Sequence, residues 1–190
     1  MFVPHIFRED APNAIFQFRF DAATGALTPN DSGRCAPNGP DGPRHFRFHP
    51  TKNIVYVSNE QGCSVTVYAM DPNAGTLSPL QTISTLSEDW AGESKCSQIR
   101  LTPDGQFLYA PNRGHDTIAE FAIDPDTGLL TAMGHAIAEK TLAPLRLILP
   151  VAFYYQRAMH PGALPSTVST KTLAASRARL RMSWATSQCG

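Results

Sequence analysis

Asp21-Ala-Ala-Thr-Gly25-Ala-Leu27, Asp71-Pro-Asn-Ala-Gly75-Thr-Leu77 and Asp124-Pro-Asp-Thr-Gly128-Leu-Leu130 are three copies of one seven-residue phrase, spaced about 50 residues apart. Each copy follows a β-rich stretch. Each phrase reads as a glycine turn that leads into a further strand. A strand-and-turn unit recurring at this period is the mark of a propeller blade, a four-stranded sheet arranged radially with its neighbours. The phrase therefore predicts an all-β chain built from repeated blades.

Working outward from the turns, two longer copies align. The first runs Phe46 to Glu60, then Ser64 to Tyr68; the second runs Ile99 to Arg113, then Thr117 to Phe121. Pro50 matches Pro103, Asn59 matches Asn112, and Glu60 matches Arg113. Thr102-Pro-Asp-Gly105 is a turn in its own right. Ile54 to Val57 and Phe107 to Ala110 are continuous apolar runs, as expected of strands covered on both faces by neighbouring blades. Outer strands are expected over Leu77 to Ile83 and Leu129 to Met133. A partial copy precedes both, with Phe2 to His5 and Ala14 to Phe20 as its strands. Proline and glycine interrupt every window long enough for a helix. The fold class is a partial β-propeller, about three four-stranded blades of an original seven, followed by an irregular C-terminal tail.

The 190 residues carry 16 basic and 16 acidic side chains, for a formal net charge of zero. Neutrality argues against nucleic acid, whose binders present a basic face to the phosphates. No run of 18 apolar residues occurs, so no membrane span is expected, and the N-terminus lacks the pattern of a secretory leader. Cys35, Cys63, Cys96 and Cys189 are scattered, with no CxxC pair or His/Cys cluster to suggest zinc. Unpaired thiols, no metal, no cofactor and a cytoplasmic address are the expectations.

The composition changes after Glu139. No aspartate or glutamate occurs from Lys140 to Gly190, while Arg146, Arg157, Lys171, Arg177, Arg179 and Arg181 do. A fourth blade should begin near Thr141 and carry its turn phrase near residue 170, yet none appears. A basic extension and an amphipathic segment over Leu142 to Tyr155 are two readings. A third is translation in the wrong frame. Taking the last base of each codon with the first two of the next, the stretch from Ile148 can encode D-P-A-G-R-V-L-L-S-A-G-N-A-S-G. From about Leu164 it can encode A-E-Y-R-I-D-K-D-T-G-R-L, which restores the missing turn phrase where the period requires it. Residues 1–139 are therefore read as blades, and 140–190 as an aberrant basic tail that carries no site.

The segments Gly42-Pro-Arg-His45-Phe-Arg-Phe-His-Pro50, Tyr56-Val-Ser-Asn-Glu60 and Leu101-Thr-Pro-Asp-Gly105-Gln-Phe-Leu-Tyr-Ala-Pro-Asn-Arg113 resemble the lactonase family of seven-bladed β-propellers. That family includes propeller-type 6-phosphogluconolactonases and carboxy-cis,cis-muconate cyclases. The resemblance extends over residues 1 to about 139. It implies a cytoplasmic, metal-independent hydrolase or cyclase acting on lactones of sugar acids or related carboxylates, with a lactonase that opens a sugar-acid lactone with water as the leading reading and a small-molecule lactone as its partner. It also implies a site at the central channel, for which the matching positions are His5, Arg44, Glu60 and Arg113. Ile6 to Asp10 replace the glycine-containing loop that follows the histidine in the family pattern.

Lactone hydrolysis needs a base to activate water, donors for the oxyanion, and cations for an anionic substrate. Glu60 or a histidine suits the first role, and the planar forks of Arg44 and Arg113 suit the others. The competing reading of Glu60 and an arginine is a structural ion pair between blades. His45 and Arg100 form a second tier of substrate-binding candidates, His45 matching Gln98 and Arg47 matching Arg100. His49 occupies the turn slot of Thr102 and reads as structural. His115 and Asp116 are expected to be solvated in a loop. Trp90 lies in the long connection between blades, either over a channel mouth or packed on the surface. A non-catalytic propeller that binds partners through its faces is the alternative function. For this chain alone, open blade edges imply non-specific self-association and loss of activity.

Overall fold

A computed structural model describes residues 1–6, 12–37 and 39–137. Every regular element among them is a strand. In chain order these are β1 (Phe2–His5), β2 (Ala14–Phe20), β3 (Leu27–Cys35), β4 (Pro43–Phe48), β5 (Ile54–Asn59) and β6 (Ser64–Asp71). They continue as β7 (Thr76–Ser84), β8 (Lys95–Cys96), β9 (Arg100–Leu101), β10 (Phe107–Arg113), β11 (Thr117–Ile123) and β12 (Leu130–Ile137). The proposed wrong-frame segment lies outside the described residues.

The strands form three antiparallel sheets. The middle one has the expected four strands in the order β4-β5-β6-β7. The first has three, β1-β2-β3, because its innermost neighbour is missing among the described residues. The third has five, because its inner edge is split: β8 and β9 both pair with β10. Proline explains the split. Pro111 faces the gap and has no N–H to donate, while its carbonyl accepts both the Ser97 N–H at 3.0 Å and the Ser97 hydroxyl at 3.2 Å.

The three turn phrases share one geometry. Asp71 Oδ1 accepts the N–H groups of Asn73 (2.8 Å) and Ala74 (3.0 Å), and the Asp71 carbonyl accepts from Gly75 at 2.8 Å. Asp21 and Asp124 repeat these bonds with Ala23, Thr24 and Gly25, and with Asp126, Thr127 and Gly128. The glycines have φ of +74°, +67° and +74°, a region closed to most side chains.

The continuous apolar runs are explained by burial on both faces. Ile54 and Tyr56 of β5 enter one core with Leu108, Ala119, Phe121 and Leu130 of the third sheet. Val55 and Val57, one residue out of phase, enter a second core with Ile15 of the first sheet, Tyr68 and Leu77. Adjacent residues of one strand thus serve different interfaces, as radial packing requires. Polar clamps tie the interfaces. Buried Gln17 accepts the Leu77 N–H at 2.7 Å, and Gln81 both donates to the Leu130 carbonyl and accepts its N–H, each at 2.8 Å. Tyr56 Oη donates to the Gly128 carbonyl at 2.9 Å.

Candidate functional site

Glu60 immediately follows β5, and Arg113 ends β10 in the equivalent slot of the next sheet. The repeat therefore presents opposite charges at one level of successive blades. Arg113 Nη2 donates to Glu60 Oε1 at 2.8 Å. Arg44 Nε is 2.7 Å from the other carboxylate oxygen, Oε2. Glu60 is thus clasped from both sides, its side chain 12% exposed against 32% for Arg44 and 45% for Arg113. Arg113 Nη2 also reaches the Cys96 carbonyl at 3.5 Å.

Arg44 owes its direction to a bulge. Pro43 pairs with Asn59 and His45 with Ser58, so Arg44 is the extra residue on β4. A bulge turns a side chain out of the regular alternation, here onto the carboxylate beyond the strand end. The neighbouring inner edge has the same one-residue excess between the Cys96–Asn112 and Arg100–Tyr109 pairs. Ser97 fills that slot. It donates within its own sheet rather than reaching towards a charge.

His45 and Arg47 lie two apart on β4, the inner edge of its sheet, and Arg100 lies on β9 at the rung equivalent to Arg47. Partial burial, with the Arg44, Arg47 and Arg100 charges, holds the His45 imidazole below its ordinary range, against the opposing pull of Glu60. Burial and then the Arg100 charge lower Arg47 in the same way. A neutral imidazole can accept as well as donate a proton. The blade alignment matches Arg47 to Arg100, and the register places the two on equivalent rungs of neighbouring inner edges.

His5 is placed differently. It occupies the pairing slot of Asn59 and Asn112, opposite Ala14, and its ring packs edge-on against Phe16 with centroids 5.1 Å apart. It forms no hydrogen bond or ion pair with the Arg44–Glu60–Arg113 trio. His49 is a turn residue, its Nδ1 accepting the N–H groups of Thr51 and Lys52 at 3.2 and 3.1 Å. His115 lies in the β10–β11 loop, as expected, but its expected solvation is corrected. Its ring packs edge-on against Trp90 (4.6 Å) and His135 (5.3 Å), Nε2 lies 3.1 Å from Ser87 Oγ, and Nδ1 lies 2.7 Å from Thr117 Oγ1. The connection carrying Trp90 therefore packs on the β10–β11 hairpin. Among the described residues no three His, Cys, Asp or Glu side chains are grouped to hold a metal ion. Burial pushes the Cys96 thiol up to about 12, which leaves it unreactive.

Residues 12–144 match the family profile described as Lactonase, 7-bladed beta-propeller. The chain belongs to this lactonase family. The 6-phosphogluconolactonase of Bacillus subtilis (strain 168) is 36% identical over 113 residues, which cover 60% of this chain and 32% of the relative. The 6-phosphogluconolactonase of Yersinia pestis (strain Pestoides F) is 30% identical over 118 residues, 62% of this chain and 35% of the relative. Among solved structures, the periplasmic gluconolactonase of Pseudomonas aeruginosa superposes with a TM-score of 0.65 at 30% identity, covering 73% of this chain and 38% of that one. This lactonase-family chain spans about a third of the length of the curated relatives it matches. Among its described residues no helix is long and apolar enough to cross a membrane.

Proposed function

We propose that this chain carries part of the site of a sugar-acid lactone hydrolase of the 6-phosphogluconolactonase type. The observation that carries the reading is the Glu60 carboxylate clasped by Arg44 and Arg113 from two sheets. In this reading Glu60 takes a proton from water as the water oxygen attacks the lactone carbonyl carbon. Guanidinium N–H groups of Arg44 and Arg113 not spent on Glu60 receive the developing oxyanion. The ring C–O bond then breaks, and the proton passes to the departing ring oxygen, leaving a hydroxy acid. Neutral His45 beside the trio is suited to relay that proton. Convergence of cations and carboxylate favours this reading over a binding scaffold, whose faces need no such cluster.

Support for the activity comes from relatives named as 6-phosphogluconolactonases and from a neighbour named as a gluconolactonase. A cytosolic address is supported by Cys35, Cys63 and Cys96, which are free thiols. That neighbour, a periplasmic protein, shows the fold used in another compartment. We further propose that residues 140–190 are read out of frame and that the 190-residue product is inactive and self-associates through its open edges. Exposed Phe20, Phe48 and Ile137 support that association. Resequencing the codons for Lys140 to Leu147 decides the frame. The decisive assay follows 6-phosphogluconolactone loss above its spontaneous hydrolysis. A frame-restored, full-length protein accelerates it, and Glu60→Gln abolishes most of the acceleration. No acceleration by the restored protein refutes the proposal.

A further inference from the structure

Among the described residues, two half-buried arginines on neighbouring inner strands form no ion pair with a carboxylate. Arg47 donates from Nη1 to the Phe46 carbonyl at 2.9 Å. Arg100 donates to Gln98 Oε1 at 2.9 Å and to the Ile99 carbonyl at 3.5 Å. All three acceptors are neutral, and among the described residues neither arginine joins an ion pair. The two lie on equivalent rungs, opposite Tyr56 and Tyr109, close enough for the Arg100 charge to act on Arg47. Arg44 and Arg113, by contrast, share the charge of Glu60. Keeping two like charges together and partly out of water is unfavourable unless an anion joins them. Each fork retains N–H donors that its neutral partners leave unused.

We propose that Arg47 and Arg100 form the subsite for a phosphate monoester on the lactone substrate, separate from the Arg44–Glu60–Arg113 trio that handles the ring. The inference rests on the lactonase reading above. Its chemistry follows from the ring itself. In a lactone the carboxyl group is esterified and uncharged, so a site that binds before ring opening finds no anion there. A doubly cationic pair must meet charge elsewhere on the molecule, and a phosphate monoester, at −1.5 to −2 near neutral pH, matches it better than a single carboxylate. Phosphate bound at the inner strands leaves the donors of Arg44 and Arg113 for the oxyanion.

Isothermal titration calorimetry of the frame-restored, full-length protein with 6-phosphogluconate, gluconate and inorganic phosphate tests this. The phosphorylated acid should bind at least about tenfold tighter than gluconate. Arg47→Gln and Arg100→Gln should each weaken 6-phosphogluconate by about tenfold or more, in line with a charge-assisted hydrogen bond, and leave gluconate unchanged. Arg47→Lys and Arg100→Lys keep the charge and guard against misfolding; they should fall between wild type and the glutamine variants. Equal affinity for both acids, or glutamine variants without effect, overturns the phosphate subsite and leaves the lactonase reading standing. Inorganic phosphate bound through Arg47 and Arg100 while neither sugar acid binds keeps the anion site and sinks the lactonase reading. Binding of none of the three refutes both.

Discussion

Replacing Glu60 by glutamine separates a structural ion pair from a working carboxylate. At a charge separation of about 4 Å and an effective dielectric constant near 20, one carboxylate–guanidinium pair gains about 4 kcal/mol. Desolvation of Glu60 and repulsion between its two arginines offset much of that. The exposure of Arg113 (45%) and Arg44 (32%) screens the rest. The surviving coupling is about 1–2 kcal/mol for each pair. It is larger for Arg44, the less exposed partner. Double-mutant cycles read it directly: Glu60→Gln with Arg44→Gln, and Glu60→Gln with Arg113→Gln, each followed by urea denaturation. Raising salt from about 0.05 to 0.5 M should shrink the Arg113 coupling more than the Arg44 coupling. Couplings below about 0.3 kcal/mol, or a larger value for Arg113, would show that the clasp does not hold in solution. Activity is the second readout. In the frame-restored, full-length protein the substitution should lower kcat by about 10²–10⁴, the usual contribution of a positioned acid–base group. A loss of stability with kcat unchanged would make Glu60 a strut between blades and nothing more.

Three further outcomes follow from the scaffold. Tyr56→Phe removes the bond to the Gly128 carbonyl and should cost about 1–2 kcal/mol in urea denaturation; an unchanged midpoint would mean that the bond does not join the sheets. Gly105→Ala should cost more than about 1 kcal/mol in the same measurement, because φ is +73° and a Cβ would stand 2.7 Å from His49 Nε2 and 2.9 Å from Pro50 Cγ; a neutral effect would contradict the turn geometry. The Asp71 and Asp124 carboxyls are held below the ordinary carboxylate range, first by the N–H groups of Ala74 and Thr127. A depressed folded-state pKa contributes stability above the unfolded value near 3.9 and loses it as pH falls below that value. Thermal midpoints should therefore drop between pH 5 and pH 3, and less so in Asp71→Asn/Asp124→Asn, which keeps the turn acceptor without the titration. Identical pH profiles for the two proteins would refute this account.

The turns were legible because their causes are local: an aspartate oxygen two or three residues from the N–H it caps, and a glycine at positive φ. The covered strands were legible because burial on both faces leaves no polar phase in Ile54 to Val57. Other features have distant causes. Gln17 and Gln81 are ordinary strand glutamines until their partners, Leu77 and Leu130, arrive from sequence positions 60 and 49 residues away. His115 read as solvated because its neighbours Trp90 and His135 come from two other segments. The split inner edge of the third sheet follows from Pro111, whose position inside β10 shows only once the register is known. The motif match brought Arg44, Glu60 and Arg113 to notice. The bulge that turns Arg44 onto the carboxylate is a register effect, and no single-strand pattern contains it.

The blades do their different work at matched slots. Repetition builds the frame: the same turn, the same proline before the second strand, the same bulge in the inner edge. Function would then depend on which side chain fills each matched slot. Glu60 and Arg113 fill one slot with opposite charges, so successive blades attract at the level of the site. Arg44 and Ser97 fill another, so only one of the two bulges delivers a cation. Arg47 and Arg100 are identical at a third, and identity there accumulates positive charge instead of cancelling it. An unvaried repeat would place the same group on every rung, giving either uniform repulsion or none. Substitutions at two slots and identity at a third set a partly neutralised trio beside an unneutralised pair, which is the asymmetry that a substrate with a neutral ring and an anionic end would require.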